Sequence, residues 1–117
     1  RVQAAVKWIQ NNWTLAINPG SDPAMGEKVK YQGLYYYYMV LAQALSAAEV
    51  ETVMVPRQAV GGALPKKAVD WREALRSHLA ETQQGDGTWV NGKNGRWMES
   101  LPLLCTCYAM IALENCK

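Results

Sequence analysis

The chain has 117 residues, 50% hydrophobic and 19% charged, which are the proportions of one small globular domain and exclude a disordered or low-complexity chain. A net charge of +2, with basic residues adjacent only at Lys66 and Lys67, leaves no footprint for nucleic acid. The longest uncharged run, Tyr31 to Ala48, contains Gln32, Gln43, Ser46 and four consecutive Tyr, so it does not read as a membrane span or a signal peptide.

In chain order, Val2, Ala5, Val6, Ile9 and Trp13 recur at helical spacing opposite Gln3, Lys7, Gln10 and Asn11, which predicts an amphipathic helix with one wet face. It runs out near Asn18-Pro19-Gly20, and the loop through Ser21, Asp22, Pro23 and Gly26 is polar. From Gly33 to Ala48 no residue is charged, and apolar or aromatic groups lie all round the predicted second helix. A helix of that kind is expected to be enclosed by others. Residues 49–66 carry Pro56, Gly61, Gly62 and the β-branched run Val50, Thr52, Val53, Val55, and read as an insertion with room for a brief strand. Asp70 caps a third helix, with Glu73 completing a capping box and Trp71, Leu75, Leu79 and Thr82 facing inward. His78, the one histidine, sits beside that stripe and reads as a partly buried structural residue. Turns at Asn91-Gly92 and Asn94-Gly95 lead to a fourth helix near Ser100, with Pro102 in its first turn and no charge between Glu99 and Glu114.

The order is amphipathic, enclosed, amphipathic, enclosed. An ordinary four-helix bundle would be amphipathic in all four helices. The contrast instead predicts an all-α chain of about four main helices, with hairpin 1 over 1–48, an insertion over 49–66 and hairpin 2 over 67–117. Cys105, Cys107 and Cys116 fall on or at the end of the last helix. At about 1.5 Å rise per residue the outer two stand roughly 16 Å apart, and the first two point about 200° apart, so free thiols are expected, which leans toward a reducing, cytoplasmic compartment.

Between the third and fourth helices, Gln83-Gln84-Gly85-Asp86-Gly87-Thr88-Trp89 combines a Gln able to bond its helix end, an Asp-Gly turn and a Trp to plug the gap between helices. Gln83 through Leu113, with Arg96-Trp97-Met98-Glu99 and then Leu103, Thr106, Tyr108, Ala109 and Leu113, resembles the prenyltransferase and squalene-oxidase repeat of terpenoid-cyclase-like proteins. Gly33-Leu34-Tyr35-Tyr36-Tyr37 resembles the same pattern more loosely. The resemblance implies two consecutive outer/inner helical hairpins of an α/α-toroid, a partial ring and its C-terminal portion, with Gln83, Asp86, Gly87 and Trp89 as structural motif residues. Arg1 opening in mid-pattern without Met fits a processed product, an excised domain or the ordered part of something longer.

The family's chemistry does not carry over. The acidic D-x-D-D run of squalene cyclases and the D-C-T-A run of oxidosqualene cyclases have no counterpart. Cys105-Thr106-Cys107-Tyr108 resembles the H-T-C-Y run of the zinc site of protein prenyltransferases with Cys in place of His, but Gly33 to Ala48 offers no Asp, Cys or His to complete a set of three ligands. No catalytic residue, metal or cofactor is therefore assigned. Ligand-pocket candidates are Tyr31, Tyr35, Tyr38, Arg96, Trp97 and Glu99, where two helix N-termini and a lining of rings would suit an anionic head with an apolar tail, such as an isoprenoid diphosphate. The expected function is a non-catalytic structural or binding portion of a terpenoid-cyclase- or prenyltransferase-like protein, its partner the rest of a larger toroid or a second copy. The alternative is part of a squalene or terpene cyclase, or of an isoprenoid-handling enzyme, whose acidic motif lies outside this chain.

Overall fold

A computed structural model describes residues 1–59 and 62–117. The elements are α1 (Val2–Asn11), α2 (Leu34–Ala47), β1 (Thr52–Ala59), β2 (Gly62–Asp70), α3 (Trp71–Thr82) and α4 (Pro102–Glu114), with short 3₁₀ turns at Pro23–Met25, Glu27–Tyr31 and Arg96–Met98. The four helices form where the hydrophobic spacing predicts them. Asp70 accepts the Glu73 N–H at 3.2 Å, capping α3, and Pro102 opens α4 where its missing N–H has no partner to lose.

The all-α expectation is overturned by β1 and β2, which pair antiparallel as a two-stranded sheet and make the fold a mixed one. Val53 lies opposite Val69 and is fully buried, and Val55 and Val69 also pack on the core. These alternate residues fit a pleated surface, and Pro and Gly in the segment remove the helical option. Backbone groups of β1 need a partner, and the following residues supply one. The register shifts between Val55 and Arg57, at Pro56 and opposite Pro65. Proline has no N–H to give a ladder, so the irregularity falls there. Gly61, part of the predicted insertion, lies outside the described residues.

The two-hairpin arrangement is overturned as well. The principal helix pair joins α2 to α4, the two helices predicted to be inner, while α1 leans on β1, where the Gln10 side chain accepts the Met54 N–H at 2.8 Å. Ala42, Cys105, Ala109 and Ala112 are fully buried, and such small side chains let two helix axes approach closely. Leu41, Leu45, Trp71, Leu75, Leu79 and Trp89 complete the core. Trp71 donates its indole N–H to the Val50 carbonyl, fixing α3 to the chain entering β1.

Neither apolar helix is enclosed. α2 exposes Tyr36, Val40, Gln43 and Ala47, and α4 exposes Leu103, Cys107, Met110 and Ile111. Leu103 is 78% and Met110 61% exposed. Among the described residues, no helix is long and apolar enough to cross a membrane.

Candidate functional site

Gly33 precedes α2 at φ 64° and has no side chain with which to cap it. Glu99 supplies the cap from 64 residues further along: one carboxylate oxygen accepts the Tyr35 N–H at 3.1 Å and the other the Tyr36 N–H at 2.9 Å. These are free donors of the first helical turn, at the positive end of the helix dipole. Asn91 donates a further bond to Glu99 at 3.0 Å and another to the Tyr31 carbonyl at 2.8 Å. The Glu99 carbonyl accepts from the Asn91 N–H and from the Cys105 thiol, so the residue is 0% exposed with its polar atoms partnered.

The turn that delivers Glu99 is built from Arg96, Trp97 and Met98. Trp97 and Met98 adopt φ 58° and 65°, a left-handed geometry that side chains resist. The Trp97 ring lies across Gly33, where a Cβ would stand 2.7 Å from it. Gly33 thus admits both the positive φ and the ring.

Behind this junction a cavity of about 420 Å³ opens between α2 and α3, lined by Leu34, Tyr35, Tyr38, His78, Thr82 and Lys93, with Asn91 at one side. Tyr38 donates its hydroxyl proton to the Leu15 carbonyl, and its oxygen lies 2.9 Å from His78 Nε2. Since the one phenolic proton goes to a group that can only accept, His78 Nε2 carries a hydrogen and donates to Tyr38. Burial pushes the His78 pKa below 6.5, with smaller opposed influences from Glu81 and Lys93. The ring is therefore neutral near pH 7. Burial also raises the Tyr38 pKa, helped by Tyr35, Tyr37 and Glu99, and pushes Tyr37 up to about 12. The Cys105 thiol is pushed up to about 11 by burial and by Glu99, so it is a poor nucleophile and a poor metal ligand at neutral pH.

The six residues proposed from sequence do not share one pocket. Tyr35 and Tyr38 line the cavity just described. Glu99 is sealed beneath α2, and the N–H groups of Tyr35 and Tyr36 that were expected to meet an anionic ligand meet Glu99 instead. Tyr31 lies under Lys30 and Lys93, whose ammonium groups stand 5.4 and 4.6 Å from its ring centre. Trp97, 60% exposed, borders a shallow groove with Asn18, Tyr36, Tyr37 and Val40, and Arg96 is exposed in a separate hollow. Among the described residues, no three His, Cys, Asp or Glu side chains are grouped to hold a metal ion.

The Gln83–Trp89 motif forms a closed turn. Gln83 bonds the Gly87 carbonyl at 2.8 Å within the loop, and Asp86 accepts the Thr88 N–H at 3.0 Å. It is Trp89, not Gln83, that reaches the helix end, donating to the Leu79 carbonyl at 2.9 Å. Thr106 of α4 accepts the Trp89 N–H at 3.1 Å. Sequence reading missed Asn91, which looks like an ordinary Asn-Gly turn residue, and the pairing of His78 with Tyr38. A lone histidine next to an inward stripe was the available signal for the latter.

No protein-family model matches the chain, and neither a curated protein nor a solved structure is significantly similar to it.

Proposed function

We propose that the chain is a non-catalytic structural and binding portion of a terpenoid-cyclase- or prenyltransferase-like protein, and that it docks other uncharged helices on the bare face of α2 and α4. The observation that carries this reading is the continuity of that face. Trp97 and Val40 border one groove with Tyr36, Tyr36 stacks on Tyr108 of α4 at 5.8 Å, and the Leu103, Cys107, Met110, Ile111 stripe runs beyond it. No Asp, Glu, Lys or Arg lies within α2 or between Ser100 and Leu113. The absence of charge selects a partner face of the same kind, which for the isolated chain is a second copy.

The area agrees with that occupant. The chain exposes 7488 Å², against roughly 6300 Å² for a folded monomer of 13.0 kDa. The excess, on the order of 1000 Å² and shared with α1 and the β hairpin, is comparable to the ~800 Å² that each partner buries in a standard interface. Sedimentation velocity over a range of concentrations is expected to show reversible association. The doubly substituted Leu103→Glu, Met110→Glu chain should remain monomeric with an unchanged melting temperature, because both side chains already face solvent. A wild-type chain that stays monomeric at all concentrations would overturn the proposal.

A further inference from the structure

The Glu99 cap needs a left-handed turn before it, but glycine or asparagine would make that turn with little strain. This chain instead places Trp97 and Met98 there, and both are mostly exposed. Met98 is 63% exposed and Met25, on the neighbouring loop, 70%. The two loops are tied side by side: Asn94 Nδ2 donates to the Lys28 carbonyl at 3.0 Å and Asn91 Nδ2 to the Tyr31 carbonyl. Met25 borders one hollow with Lys28, Asn94 and Arg96, and the adjoining one with Trp97. Leu101, also exposed, donates its backbone N–H to the Met98 carbonyl at 3.0 Å. Four large apolar side chains thus project from two joined loops, while Met110 of the α2–α4 stripe lies about two turns further along α4. The charged groups among them come from both loops. Lys28, Lys93 and Arg96 are exposed and, among the described residues, make no ion pair. Lys30 is paired with Glu27, and the Lys30 and Lys93 ammonium groups both stand near the Tyr31 ring. Opposed to them are Asp22, one of whose oxygens accepts the Ala24 N–H, and Glu99, which is buried against α2. The exposed balance of the two loops is therefore positive.

We infer that loops 22–31 and 93–101 rest on the surface of an anionic lipid bilayer. Met25, Trp97, Met98 and Leu101 enter the boundary between headgroups and acyl chains, and Lys28, Lys93 and Arg96 meet the anionic headgroups. A protein partner would take such side chains into a close-packed, shape-matched core, and single-stranded nucleic acid would need rings along a basic groove. Apolar tips set singly among a few cations match neither. They match a headgroup region, which accepts apolar tips in any arrangement, seats indole rings at its edge and attracts Lys and Arg when its lipids are anionic.

The test is co-sedimentation of the full chain with vesicles of phosphatidylcholine alone and of phosphatidylcholine with about 30% phosphatidylserine, at about 0.1 M salt. The anionic vesicles are expected to bind the chain about tenfold or more tightly than the neutral ones, and less as salt rises. Lys28→Ala and Arg96→Ala should each lower the affinity about fivefold, the worth of one basic residue at an anionic surface. Met25→Asn and Met98→Asn should each lower it about tenfold. Both side chains already face solvent, and asparagine tolerates the left-handed backbone at 98, so these variants keep the fold. Met110→Asn, the same exchange on the outer stripe of α4, should bind as the wild type does. No binding of the wild-type chain to anionic vesicles would overturn the inference, as would equal binding to neutral ones. So would a loss with Met110→Asn as large as that with Met98→Asn, which would move the contact to the α2–α4 face. Retention of a DNA duplex in place of vesicles would make the loops a nucleic-acid surface instead. Self-association through α2 and α4 is read separately by sedimentation velocity, so either reading can fail alone.

Discussion

Gly33 begins α2 without a capping side chain, and the first free N–H groups of that helix would be buried unpaired if nothing reached them. Glu99 reaches them with both carboxylate oxygens and places negative charge at the positive end of the helix. Hydrogen bonds to a charged group contribute about 1.5–3 kcal/mol each, and the donors left behind carry their own desolvation cost. Glu99→Ala is therefore expected to lose about 3 kcal/mol or more in urea unfolding. Glu99→Gln keeps the shape but turns an NH₂ toward an N–H, and should fall between the alanine variant and the wild type. Two variants within about 0.5 kcal/mol of wild type, the range of an ordinary surface substitution, would remove Glu99 from this role. The sequence shows a carboxylate just before the fourth helix, which suggests service to that helix. Its actual client lies 64 residues away, and only the left-handed backbone at Trp97 and Met98, set against Gly33, brings the two together. Such a pairing leaves no local pattern to read.

The elements were legible in proportion to how locally they are determined. Asp70 with Glu73 marks the start of α3, and uncharged runs mark α2 and α4, because propensity, capping and spacing act within a few residues. β2 was not, since Gly62–Asp70 contains Pro65, Lys66 and Lys67 and becomes a strand by pairing with β1. The junction between α3 and α4 combines both kinds of information. Trp89 is buried among the core residues and its indole N–H satisfies a carbonyl in the last turn of α3. Its two contributions can be separated. Trp89→Phe keeps a ring and loses one hydrogen bond, for an expected cost of about 1–2 kcal/mol with the small loss of volume included. Trp89→Ala also empties the space and should cost about 3–5 kcal/mol. Equal losses for the two variants in thermal or urea unfolding would show that the ring is not packing material, and the junction would then rest on the Gln83–Gly87 turn alone.

At the scale of the molecule, an uncharged helix signals that its surroundings are apolar but does not say who supplies them. The sequence pattern of α2 and α4 predicts enclosure, and within the chain they are covered by each other, by α3 and by Trp89, with an outer face of each left bare. The radius of gyration, 14.9 Å against about 13.4 Å expected for this length, reflects the same incomplete coverage. If a second copy provides the missing cover, the cysteines report it. Cys105 and Cys116 are buried in the core, whereas Cys107 is exposed on the outer stripe of α4 between Leu103 and Met110. A maleimide should therefore modify Cys107 first. Its rate should fall as protein concentration rises through the association range, because the thiol is covered in the dimer, while in the Leu103→Glu, Met110→Glu chain it should stay fast at every concentration. Burial raises the pKa of the other two thiols, so they should react only as the fold opens, and their slow phase should be insensitive to concentration in the non-associating chain. A Cys107 rate independent of concentration in a wild-type chain that associates by sedimentation would place the interface elsewhere, with the exposed face of α1 around Trp8 as the next surface to substitute.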